Sequence, residues 1–139
     1  MSFKSRAGIS VGIAFGIAFA TPALTAPANA AVTSVSQNCM QGTFEICTYI
    51  SRAGRDVEYM KGWMRNDKSD KQKAMHIELE GPNGLIKNCP TFSIGENSNS
   101  PNCVWSPNPP AHTLGQYCTT LWQDNYGQYI NWGTECINA

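Results

Sequence analysis

Apolar and polar residues alternate at every second position through much of this chain. The clearest stretch sets Met75, Ile77 and Leu79 against His76, Glu78 and Glu80. Side chains two apart on a strand share a face, so the pattern predicts a strand with one buried and one polar side. Gly81-Pro82-Asn83-Gly84 follows as a turn, because proline fixes one dihedral while asparagine and glycine tolerate the left-handed region. Residues 85–89 return and complete a hairpin. Upstream, residues 43–50 (TFEICTYI) are rich in β-branched and aromatic residues and read as a strand closed by a turn over 51–54. Residues 56–64 are a further strand, with Val57, Tyr59 and Trp63 assigned to one face. A charged loop without an apolar residue spans 66–73. Residues 95–112 (GENSNSPNCVWSPNPPAH) carry four prolines, which remove backbone donors, and read as a long surface loop pinned by Cys103 and docked by Val104 and Trp105. A last hairpin pairs residues 115–122 with 128–137 around Asp124-Asn125-Tyr126-Gly127.

No internal repeat and no useful helix-period run interrupts this pattern. Six to eight short strands separated by frequent turns predict an all-β fold, a small antiparallel β-sandwich, with a small barrel as the alternative.

The start of the chain follows a different rule. Lys4 and Arg6 precede an apolar run of 12 residues, 9–20 (ISVGIAFGIAFA), and Ala28-Asn29-Ala30 supplies a small-x-small cleavage pattern. This is the layout of a cleaved signal peptide over residues 1–30. The apolar run is too short to cross a bilayer of about 30 Å. The expected product is a secreted β domain of residues 31–139, extracellular and with no membrane span in its mature form.

All six cysteines, Cys39, Cys47, Cys89, Cys103, Cys118 and Cys136, fall after that segment. In an exported domain of this size they read as three disulfides. Fifteen pairings are possible, and the expectation is pairing between sequence neighbours. Such bridges close loops of roughly 9, 15 and 19 residues, each worth about 3 kcal/mol on the chain-entropy account. Zinc would need tightly paired ligands. There is no C-x-x-C, and His76 and His112 are the only histidines, so neither a metal nor another cofactor is expected.

Charge narrows the partners. Removing Lys4 and Arg6 from 10 basic and 10 acidic residues leaves 8 and 10, a net charge of −2 for residues 31–139. Bulk charge therefore gives no reason to expect a nucleic-acid partner. Every remaining Lys and Arg lies between Arg52 and Lys87, interleaved with Asp56, Glu58, Asp67 and Asp70, which reads as a solvated polar face.

Catalytic patterns are sparse. Glu78 and Glu80 share a strand face, the arrangement from which a carboxylate pair of a retaining glycosidase could be built. The solvent side of an amphipathic strand accounts for the same residues. No G-x-S-x-G elbow occurs. Cysteines held in disulfides are not thiolate nucleophiles, and His112 has no orienting acid near it in the sequence. The strongest candidates are aromatic: Trp122, Tyr126, Tyr129 and Trp132, interleaved with Gln123, Asp124, Asn125, Gln128 and Asn131, with Trp105 in the long loop. Aromatic faces beside amides suit sugar rings and equally protein hot spots.

The segment from Met75 onward resembles a class of small secreted actinobacterial proteins of uncharacterised role. The resemblance lies in Gly81-Pro82-Asn83-Gly84, Ser100-Pro101-Asn102 with Trp105, Gly115-Gln116-Tyr117-Cys118, Trp122, Tyr129, Gly133 and Cys136. In size, export and cysteine usage the chain is also similar to the small adaptor subunits of actinobacterial umbrella toxins, which link a lectin subunit to a toxin-carrying stalk. The first resemblance implies a disulfide-containing β-sandwich, and the second an adaptor or toxin-complex component. The lack of a catalytic constellation, a metal site and a phosphate loop in the sequence points to a non-catalytic module binding an extracellular protein. A carbohydrate- or cell-wall-binding protein is the alternative. A third reading is an inhibitor of secreted hydrolases presenting the 95–112 loop.

Overall fold

The computed structural model describes residues 33–139, so the signal-peptide expectation for residues 1–30 lies outside the described residues. The described chain is all-β: ten strands in two antiparallel sheets, somewhat more than the six to eight expected. Sheet A runs β1 (Thr33–Met40), β2 (Glu45–Ala53), β3 (Asp56–Asn66), with β7 (Ser98–Asn99) and β8 (Cys103–Trp105) both on the far edge of β3. Sheet B runs β10 (Gln128–Asn138), β9 (Gln116–Asn125), β4 (Gln72–Gly81), with β5 (Gly84–Asn88) and β6 (Phe92–Ile94) both on the far edge of β4. The chain therefore changes sheet three times, between β3 and β4, β6 and β7, and β8 and β9. Strand β1 was not anticipated, and the 95–112 loop contributes two short strands to sheet A.

The turns follow local chemistry. Ala53 pairs with Asp56, so the turn spans 53–56, two positions later than expected, and leaves Gly54-Arg55 as a two-residue loop. Its first position needs a positive φ, and Gly54 adopts +61° there. Between β9 and β10 the loop is Tyr126-Gly127, and both residues have positive φ, 54° and 85°, the requirement of a type I′ hairpin. Asp124 Oδ1 accepts the Gly127 N–H at 2.7 Å and closes this turn.

The core lies between the sheets. Ile46 and Ile50 of β2 and Val57, Met60 and Met64 of β3 face Met75, Ile77 and Leu79 of β4 and Tyr117 and Leu121 of β9. Alternation in β3 is not continuous, which corrects the expected face. Ser51 pairs with Tyr59 and Arg52 with Val57, so Glu58 is an extra residue. The bulge reverses the phase. Val57 points inward with Met60, Gly62 and Met64, while Tyr59 and Trp63 lie on the outer side.

The sheets pack closely at Gly62. A Cβ there would lie 2.6 Å from the Thr119 side chain and 2.8 Å from Leu79 Cδ2. Beside it the buried Thr48 hydroxyl donates to the Glu135 carbonyl at 2.7 Å and lies 2.8 Å from Thr119 Oγ1, so the polar pair between the sheets is satisfied.

The three disulfides join sequence neighbours: Cys39–Cys47, Cys89–Cys103 and Cys118–Cys136. The first links β1 to β2 within sheet A. The third links β9 to β10 near the open end of their hairpin. Only Cys89–Cys103 crosses, tying the end of β5 in sheet B to β8 in sheet A.

Candidate functional site

The outer face of sheet B carries a cleft of about 450 Å³. Strand register assembles it. His76 of β4 lies opposite Trp122 of β9, and Asp124 of β9 lies opposite Tyr129 of β10. On the other side of β4, Glu78 faces Asn88 of β5, whose amide donates to Glu78 Oε1 at 3.3 Å. Thr91, just beyond β5, closes that wall. Cleft lining thus comes from four strands and one loop residue, all standing on hydrogen-bonded ladders.

His76 is the most enclosed member, at 7% exposure, although it belongs to the polar face of its strand. Its ring meets Tyr129 edge to face, with centroids 5.6 Å apart. Nε2 stands 3.7 Å from Glu78 Oε1, and neither ring nitrogen makes a hydrogen bond among the described residues. Trp122 is half-buried, and its indole N–H is shielded without a partner among the described residues. Tyr129 remains 65% exposed and forms the outer lip. The chemistry on offer is two π faces, an imidazole, two carboxylates, an amide and two hydroxyls.

Of the five aromatic candidates, only Trp122 and Tyr129 meet here. Tyr126 occupies the hairpin tip and is fully exposed. Trp132 lies three residues from Tyr129 and so on the other side of β10, as the extra residue of a bulge between Asn131 and Gly133. It packs edge-on against Phe44, with centroids 5.2 Å apart, and its N–H donates to Gln123 Oε1 at 3.0 Å. Trp105 lies far from the cleft in the fold, stacked on Tyr117 over a separate cavity of about 160 Å³ beneath the Pro82–Asn83 turn. Burial pushes the Tyr117 hydroxyl above its ordinary value, and it donates to the Thr113 carbonyl at 2.8 Å.

Sequence reasoning placed His76 and Glu78 on a solvent face and did not foresee Asn88, Thr91 or Asp124 as neighbours. The carboxylate that joins Glu78 in the cleft is Asp124 of β9, whereas Glu80 does not line it. The available cue was a histidine and a tryptophan at outward positions of two strands, but their pairing depends on sheet order. His112 does have an acid beside it: Asp56 Oδ1 lies 2.5 Å from Nδ1, on an open surface. Among the described residues the one grouping of metal-capable side chains is Cys39, Glu45 and Cys47, whose two sulfurs are bonded to each other.

Fold and site together define a small all-β sandwich domain, stapled by three disulfides, with an aromatic and acidic cleft on one sheet. The chain matches no protein-family model, no curated protein and no solved structure. No helix among the described residues is long and apolar enough to cross a membrane.

Proposed function

We propose that the domain is a secreted, non-catalytic interaction module that binds an extracellular protein through the outer face of sheet B. The observation that carries this reading is the continuity of the cleft with an exposed apolar hairpin tip. Tyr126 and Tyr129 are both exposed, and Tyr129 also lines the cleft. Aromatic residues on a rigid scaffold are the usual anchors of protein interfaces. Three disulfides in so small a domain are compatible with an oxidising, extracellular setting. Following the resemblance, the partner is a component of a toxin complex and this chain its adaptor. The binding needs no metal or other cofactor.

A glycan is the second reading, supported by Trp122 and Tyr129 beside Asn88 and Thr91. One experiment separates the two. Tagged protein, exported from the full-length gene, is used for affinity capture from culture medium and cell surface, in parallel with a Trp122→Ala/Tyr129→Ala variant. A stoichiometric protein recovered by the parent and lost from the variant supports the module. Equal recovery by both removes the cleft from the interface. Retention on wall polysaccharide that free sugar releases favours the glycan.

A further inference from the structure

Three aromatic clusters of this domain can be compared for charge. On sheet A, Lys61 Nζ lies 4.5 Å from the Trp63 ring and 5.3 Å from Tyr49. Between the hairpins, Lys68 Nζ lies 5.0 Å from both Phe44 and Trp132. Each of these clusters holds an ammonium from its own chain against its π faces, where the ring quadrupole attracts it. The third cluster, Trp122 with Tyr129, is flanked by two carboxylates, Glu78 and Asp124, and no lysine or arginine lines it. None occurs anywhere after Lys87, and Lys87 itself is spent on the Val104 carbonyl at 2.6 Å.

We propose that this cleft receives a cationic side chain, a lysine ammonium or arginine guanidinium, presented by the partner protein. The proposal rests on the interaction-module reading and names what that partner must offer. Three features converge on it. The lining carries −2 with His76 neutral and −1 with it protonated, so it favours a cation in either state. Glu78 is largely withdrawn from solvent, at 19% side-chain exposure, and its charge is balanced by no cationic residue of its own chain among those lining the cleft. His76 is more than nine-tenths buried with no hydrogen bond among the described residues. A neutral imidazole has one acceptor nitrogen, which an ammonium or guanidinium N–H can use. The long apolar stem of either side chain would lie along the Trp122 and Tyr129 rings while its charged end reaches the carboxylates.

The test is a titration of isotope-labelled protein, exported from the full-length gene with its disulfides formed. The readout is the four tryptophan indole N–H resonances, with Trp122 assigned by a Trp122→Phe variant. The probes are N-acetyl-lysine amide and N-acetyl-arginine amide, with N-acetyl-norleucine amide and methyl α-mannoside as uncharged controls. Saturable displacement of the Trp122 resonance by the two cations alone is expected. The Glu78→Gln/Asp124→Asn variant should weaken it at least about tenfold, because each change removes charge without removing shape. An equal or stronger response to either uncharged probe, no response to any probe, or a cation response indifferent to that variant overturns the proposal. Retention of the captured partner by Glu78→Gln/Asp124→Asn, when Trp122→Ala/Tyr129→Ala loses it, overturns the cationic reading while leaving the interaction module standing.

Discussion

The outer faces of the two sheets are built from the same kinds of residue and end in opposite states. Sheet A displays Tyr49, Tyr59 and Trp63, with the two tyrosines edge to face at 6.0 Å and Lys61 paired across to Tyr49. On that face the chain's own Lys61 lies against the Tyr49 and Trp63 rings. Sheet B displays His76, Trp122 and Tyr129, but the residues placed between them are acidic, and a cleft remains. Aromatic content is therefore a poor guide to a site. What distinguishes the two faces is whether the chain supplies the group that its own π faces and charges attract.

The largest expected effect breaks both faces together. Gly62 lies between Lys61 and Trp63 on sheet A and presses on Thr119 and Leu79 of sheet B. Gly62→Ala adds one methyl where no space exists, at a backbone conformation that alanine can adopt. Overpacking of this kind should cost about 1–3 kcal/mol, measured as a shift of the urea midpoint. An unchanged midpoint would mean that the sheets are free to part locally.

A pair of lysine exchanges sharpens the contrast. Lys61→Met keeps the apolar stem and removes the charge, so sheet A should lose about 0.5–1 kcal/mol while partner capture is unaffected. Thr91→Lys gives the cleft on sheet B an internal cation. It should raise stability by a similar amount and abolish binding of both lysine and arginine amides in the same titration. If Thr91→Lys leaves probe binding intact, the missing cation is not what keeps the cleft open.

The smallest effect is read from pH. Buried Tyr117 has its hydroxyl pushed above the ordinary value near 10, so the folded state holds that proton more tightly than the unfolded chain. Its contribution is complete below about pH 10 and is lost as pH rises through the folded value. Urea unfolding at pH 9, 10 and 11 should show the parent losing stability faster than Tyr117→Phe. Parallel loss would place the alkaline sensitivity elsewhere.

Much of the frame was legible from local chemistry. The alternation at Met75, Ile77 and Leu79 located β4, and Asp124-Asn125-Tyr126-Gly127 located the β9–β10 turn. Neighbour pairing of the cysteines, one expectation among fifteen possible pairings, is the pairing found. Where the reading failed, an extra residue had reversed the alternation. Glu58 moved Val57 away from Tyr59 and Trp63. A bulge shifts the phase of a two-residue period, and extending the alternation from one side of it misassigns the face on the other.

The sequence by itself determined an all-β chain, its main hairpins, its aromatic hairpin near the C-terminus and its cysteine framework, because each depends on residues near one another along the chain. Tertiary structure alone decided that the two hairpins join through β4 and β9. That pairing sets His76 against Trp122 and brings Asp124 and Tyr129 of one hairpin to the wall that Glu78 and Asn88 share across the other. The cleft exists through this one pairing between strands more than forty positions apart in the sequence, and no local pattern encodes which strand becomes a neighbour.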